Sequence, residues 1–142
     1  MYEYRCNVVR VVDGDTVDVN IDLGFGIWRK KERVRLLGID TPESRTRDEI
    51  EKKFGLLAKN FLLKMLNDNT IILKTFKDEE GKFGRILGEL WIENDEISIN
   101  QHLINNYHAV KYIGQSKDDL KIEHNLNRIK LVELKNKNVK NI

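Results

Sequence analysis

The sequence predicts an α+β fold: a closed barrel of five short strands with three helices around it. Three observations lead there. Runs that alternate apolar and polar residues lie on both sides of one segment with helical periodicity. Glycine, proline and aspartate punctuate those runs at short intervals. The chain has 142 residues, 40% hydrophobic and 34% charged, which suits one domain with one core.

The elements follow in order. Val8 to Val12 and Thr16 to Ile21 read as two strands joined by the tight turn Asp13-Gly14-Asp15. The segment Asp22-Leu-Gly-Phe-Gly-Ile-Trp28 breaks the alternation, and a third strand follows from about Lys31 to Ile39. Pro42 ends it and opens a polar loop. Leu57, Ala58, Phe61, Leu62, Met65 and Leu66 share one helical face, so a helix covers roughly Gly55 to Leu66. Thr46 and Glu49 could cap an earlier start, but Gly55 favours the later one. Thr70 to Phe76 and Arg85 to Ile92 are strands around Asp78-Glu79-Glu80-Gly81. Ser98 with Gln101 caps a short helix ending near Tyr107. Ser116 or Asp118 opens a last helix with Leu126, Ile129 and Val132 as inward candidates. Three strands, a helix, two strands and two helices fit a five-stranded barrel of the OB type, since closure removes exposed edges. The core is expected over about residues 4 to 135, with 136–142 a disordered Lys/Asn-rich tail.

Bulk charge says little about a partner, because 25 basic residues nearly balance 23 acidic ones. Its distribution says more. Arg29, Lys30, Lys31, Arg33 and Arg35 face only Glu32 in their stretch. Arg128, Lys130, Lys135, Lys137 and Lys140 stand against Glu133 near the end. Such local basic stretches suit a polyphosphate. No apolar run is long enough to span a membrane, so no membrane partner is expected. The lone Cys6 excludes an internal disulfide and reads as a buried thiol, and the N-terminus lacks a secretory signal. A cytoplasmic monomer is the expectation.

Asp13, Asp15, Arg35, Asp40, Glu43 and Arg85 form the densest set of ionisable groups near predicted strand ends. Carboxylates on short rigid turns suit a hard cation such as calcium or magnesium. His102, His108 and His124 show no zinc-type spacing. Arginines beside such a site suit a phosphodiester, because the guanidinium fork matches phosphate oxygens. A carboxylate left over could take a proton from water. Strict alternation puts Arg35 and Asp40 on opposite faces, so a bend or bulge near Gly38, or twisting at the strand end, is required to bring them together.

Three motifs then carry a resemblance. Val11-Val12-Asp13-Gly14-Asp15-Thr16, Arg33-Val-Arg35-Leu-Leu-Gly-Ile-Asp40-Thr41-Pro42-Glu43 and Lys82-Phe83-Gly84-Arg85 resemble, in order and spacing, the signatures of the staphylococcal nuclease family. Phe54-Gly55 sits where that family opens its first helix. The likeness runs from about residue 7 to 135. It implies an OB-fold barrel with three helices and Ca²⁺-dependent cleavage of DNA and RNA that leaves 3′-phosphates. It implies Asp15 and Asp40 as Ca²⁺ ligands through their carboxylates, and Thr41 through its backbone carbonyl. Glu43 would be the general base, with Arg35 and Arg85 holding the phosphate. Asp13 would support the calcium site from behind its ligands, and Lys82, Phe83 and Tyr112 would meet the substrate.

The sequence departs from the pattern in places. Phe83 stands where the founding nuclease has a tyrosine, and Tyr112-Ile113-Gly114 has one aromatic for two. The family's terminal tryptophan motif is absent. Asp22 to Trp28 is longer than the corresponding turn and reads as a protruding hairpin, expected to pack on itself, with base stacking by Phe25 and Trp28 as the other reading. The rival to an active nuclease is a non-catalytic OB-fold module that binds nucleic acid or protein. Degenerate copies lose the acids or arginines, whereas all five are present here.

Overall fold

The computed structural model describes residues 2–75 and 85–140. Five strands close a barrel: β1 (Tyr2–Asp13), β2 (Thr16–Asp22), β3 (Trp28–Leu36), β5 (Ile71–Thr75) and β6 (Ile86–Ile92). Around the barrel the order is β1-β2-β3-β6-β5. β1 is long enough to serve two neighbours. Its first half pairs with β5, Tyr2 opposite Thr75, and its second half with β2, Val11 opposite Val17. Closure comes from the parallel pairing of β3 with β6, Val34 beside Ile86 and Leu36 beside Gly88. No edge of these five strands is then left to pair with another chain.

The alternation read from β2 holds. Val17, Val19 and Ile21 point inward to meet Val34, Leu36, Leu73 and Leu90 in the core. Each such side chain contributes about 1.5–3 kcal/mol by leaving water. The third strand lies earlier in the chain than expected, starting at Trp28 rather than Lys31. It ends at Leu36, and after the turn Leu37-Gly38 the chain resumes as β4 (Ile39–Asp40). β4 pairs with β7 (Val110–Lys111), a ladder the sequence did not suggest.

Helix α1 spans Glu49–Leu66, starting earlier than Gly55 suggested. Asp48 caps it rather than Thr46, accepting from the N–H groups of Ile50 and Glu51. Phe54, Ala58, Leu62 and Leu66 face the core, while Leu57 is exposed. Helix α2 (Ile99–Asn105) begins at Ser98, whose hydroxyl accepts from Gln101 N–H as the sequence indicated. Its buried Asn100 donates to the carbonyl of Leu37 at 2.9 Å and accepts from Leu90 N–H at 3.2 Å. That side chain ties the Leu37-Gly38 turn to β6.

Helix α3 spans Lys117–Lys140 and so runs into the stretch read as a tail. Ser116 caps it, accepting from Asp119 N–H. Its orientation reverses the expectation. Leu126, Ile129 and Val132 are exposed, and the inner seam sets the polar His124, Asn127 and Arg128 between the half-buried Leu120 and Leu131. Among the described residues no helix is long and apolar enough to cross a membrane.

Candidate active site

The Asp13-Gly14-Asp15 turn is pressed between α1 and the chain after β4. A Cβ on Gly14 would stand 2.7 Å from Ala58 Cβ and 3.1 Å from Thr41 Cγ2, so only glycine fits. This contact brings Asp15 to Thr41, far along the chain. Asp15 Oδ2 accepts from Thr41 N–H at 3.1 Å, and Oδ1 accepts from the Thr16 hydroxyl at 3.0 Å. The Asp15 carbonyl accepts from Leu36 N–H at 2.8 Å, fixing the turn to the end of β3. Burial pushes the Asp15 carboxyl above its ordinary range, against the pull of the Arg35 guanidinium and the Thr41 N–H.

Arg35 lies on the outer face of β3, because Val34 and Leu36 on either side are buried. Gly38, at φ +77°, supplies the bend that alternation demanded. Asp40 is thereby turned back toward Arg35. One guanidinium spans both acids: Nη1 is 3.4 Å from Asp15 Oδ2, and Nη2 is 3.6 Å from Asp40 Oδ1. A hydrogen bond from Nη1 to the Leu36 carbonyl at 3.0 Å sets its orientation. The other oxygen of Asp40 meets His124 Nε2 of α3 at 2.7 Å.

Glu43 occupies the next loop, exposed, and its backbone is held from three sides. Its N–H donates to Glu51 Oε1 at 2.9 Å. Glu51 is in turn bonded by Arg128 of α3. Asp13 accepts from both the N–H and the hydroxyl of Ser44. On the third side stands α1: a Cβ on Gly55 would be 2.2 Å from the Glu43 carbonyl oxygen. Gly55 is therefore inside the helix so that the helix can touch the loop.

Arg85 immediately precedes β6. Ile86 and Gly88 are buried, so alternation places Arg85 outward, on the same side of the barrel as Arg35 of the adjoining β3. Tyr112 follows β7, half exposed, and its N–H donates to the Gly38 carbonyl at 2.8 Å, beside Asp40. The expectations for Lys82 and Phe83 fall outside the described residues.

These side chains fit a hard divalent ion. Asp15, Asp40 and the Thr41 carbonyl are oxygen donors on short turns. The Thr41 hydroxyl is buried without a hydrogen-bond partner. Among the described residues no group of three or more His, Cys, Asp or Glu converges, so neutral oxygens must complete such a shell. A groove of about 640 Å³ between β1 and the end of α1 contains none of these side chains.

Sequence reasoning missed the supports: His124, Ser44, Glu51, Asn100 and Arg128. For His124 and Arg128 a signal existed, since they are four apart on α3 and so share one helical face.

Residues 33–138 match the family described as staphylococcal nuclease homologue. A thermonuclease of Staphylococcus intermedius is 33% identical over 92 residues, covering 65% of this chain and 51% of that protein. An uncharacterised protein of Methanocaldococcus jannaschii is 33% identical over 132 residues, covering 78% of this chain and 60% of that one. Endonuclease YhcR of Bacillus subtilis is 29% identical over 116 residues, 78% of this chain but 9% of its own length. The chain thus spans about half the length of the first two relatives, and a small part of the third. With most of its length matched, and Asp15, Arg35 and Asp40 brought together beside a five-stranded barrel, the chain belongs to the staphylococcal nuclease family.

Proposed function

We propose that this chain is a calcium-dependent nuclease that hydrolyses phosphodiester bonds in DNA and RNA, leaving 3′-phosphates. The observation that carries the reading is Arg35 standing between Asp15 and Asp40, at 3.4 and 3.6 Å. Three stretches of chain meet there, and the pairing sets one guanidinium between two acids.

Asp15, Asp40 and the Thr41 carbonyl would hold the ion, whose chemistry would be to supply positive charge to the phosphate being cleaved. Glu43, exposed on a braced loop, takes a proton from water as the water oxygen bonds to phosphorus. The P–O5′ bond breaks opposite, and the departing oxygen takes up a proton from solvent. Arg35 and Arg85 donate to phosphate oxygens as charge gathers on them, which favours the transition state over the bound substrate. Asp13 positions Ser44, and through it the Glu43 loop.

The test is digestion of single-stranded DNA and of RNA by the purified chain with Ca²⁺, with chelator and with Mg²⁺. Cleavage that requires Ca²⁺ supports the reading. Intact substrate under all three conditions, with binding retained, would instead make the chain a non-catalytic module.

A further inference from the structure

The hairpin between β2 and β3 is not the self-packed arm that the sequence suggested. Phe25 at its tip is 102% exposed, and Leu23, Ile27 and Trp28 are exposed as well. Yet the tip is ordered by its own hydrogen bonds. Leu23 N–H donates to the Ile27 carbonyl at 2.9 Å, Ile27 N–H to the Gly24 carbonyl at 3.0 Å, and Gly24 N–H to Asp22 Oδ1 at 2.8 Å. Phe25 sits at φ +56° between Gly24 and Gly26, both also at positive φ. Left-handed backbone disfavours an aromatic residue, and nothing in the fold gains from placing a ring there.

Cations collar the apolar tip. Lys30 lies over the Trp28 ring, 5.6 Å from its centroid, and Arg29 and Lys31 are exposed beside it. The stem is the strand that ends in the candidate site. Arg33 shares the outer face of β3 with Arg35, where Asp18 of β2 fixes it in a two-point ion pair. At about 3.3 Å per residue, Trp28 lies roughly 23 Å from Arg35 along β3. That is about seven nucleotides of a stacked strand.

We propose that this arm is a second contact for single-stranded nucleic acid, with Phe25 and Trp28 stacking on unpaired bases several nucleotides from the bond being cut. The inference rests on the nuclease reading and names its preferred substrate: a strand long enough to reach both places. Rings stack on any base, and the lysines and arginine of the collar meet the phosphates between them, so the contact tolerates any sequence. Continuity of one strand from arm to site favours nucleic acid over a lipid surface.

The experiment compares wild type with Phe25→Asn, which tolerates left-handed backbone and removes the ring, and with Trp28→Ala. Each is assayed on a single strand of about 30 nucleotides and on a dinucleotide too short to reach the arm. Expected is a KM for the long strand raised about 5- to 100-fold, with unchanged dinucleotide constants and an unchanged urea midpoint. Equal KM for the long strand in variant and wild type overturns the proposal, and so does an equal loss on both substrates. If wild type cleaves neither substrate, the nuclease reading fails, and fluorescence anisotropy with the long strand still decides: weaker binding by Phe25→Asn supports the arm, equal binding overturns it. Sedimentation with anionic phospholipid vesicles that depends on Phe25, without any change in strand binding, would assign the arm to lipid and overturn it too.

Discussion

His124 Nε2 lies 2.7 Å from Asp40 Oδ2, a buried imidazole on α3 holding one oxygen of an acid on β4. The same helix face carries Arg128, which bonds Glu51, and Glu51 in turn accepts from the N–H of Glu43. One helix therefore braces both halves of the candidate site.

His124→Leu removes the imidazole while filling its space. Asp40 then loses the partner that fixes its orientation, and groups of this kind typically contribute about 10- to 100-fold in metal affinity. The expected result is a Ca²⁺ dissociation constant weaker by about that factor in isothermal titration, with far-ultraviolet circular dichroism unchanged.

Gly55→Ala sets two effects against each other. Alanine favours helix by about 1 kcal/mol over glycine. Here its Cβ would fall 2.2 Å from the Glu43 carbonyl oxygen, a clash with backbone that neither side can relieve by changing a rotamer. Overpacking of this sort costs about 1–3 kcal/mol, so the clash wins. A lower urea midpoint is expected, together with a lower kcat as the Glu43 loop shifts. A midpoint raised above wild type would refute the close approach.

Glu43→Ala should lower kcat by about 10²- to 10⁴-fold if its carboxylate activates water. Arg85→Ala should lower it by about 10²- to 10³-fold if its guanidinium meets the transition state. Neither side chain is buried, so both variants should keep the wild-type unfolding midpoint. Near-normal rates in Ca²⁺ would remove that residue from the mechanism.

Burial pushes the Cys6 thiol up from 9.0 to about 12. The folded chain therefore holds this proton more tightly than the unfolded chain does. The associated stability is complete below about pH 9 and fades as pH rises toward 12. Two results are expected: no reaction with a disulfide reagent until the protein unfolds, and a Cys6→Ala variant whose urea midpoint falls less than wild type's across that range.

Much of the site was legible because its turns are written in glycine and proline. Asp13-Gly14-Asp15 reads as a tight turn and Pro42 as the opening of a polar loop, and the structure has both. Alternation alone demanded a bend between Arg35 and Asp40, and Gly38 supplies it. What the sequence concealed depends on contacts between distant segments. Gly55 looked like a helix start because propensity sees only the local chain, whereas its role is set by Glu43 across the gap.

The last helix was read inside out for a related reason. Periodicity locates an apolar stripe without saying which way it faces, and on α3 that stripe is exposed. The docking seam is instead a set of polar bonds whose partners, Asp40, Ala109 and Glu51, lie in other elements. A histidine judged only by metal-ligand spacing could not disclose that role.

Diffraction from crystals of this chain soaked in Ca²⁺ tests the central claim most directly. A peak bound by carboxylate oxygens of Asp15 and Asp40 and by the Thr41 carbonyl, at about 2.3–2.6 Å, is the result predicted. An ion seated elsewhere, or the Arg35 guanidinium still bridging two acids that bind nothing at saturating Ca²⁺, would contradict it.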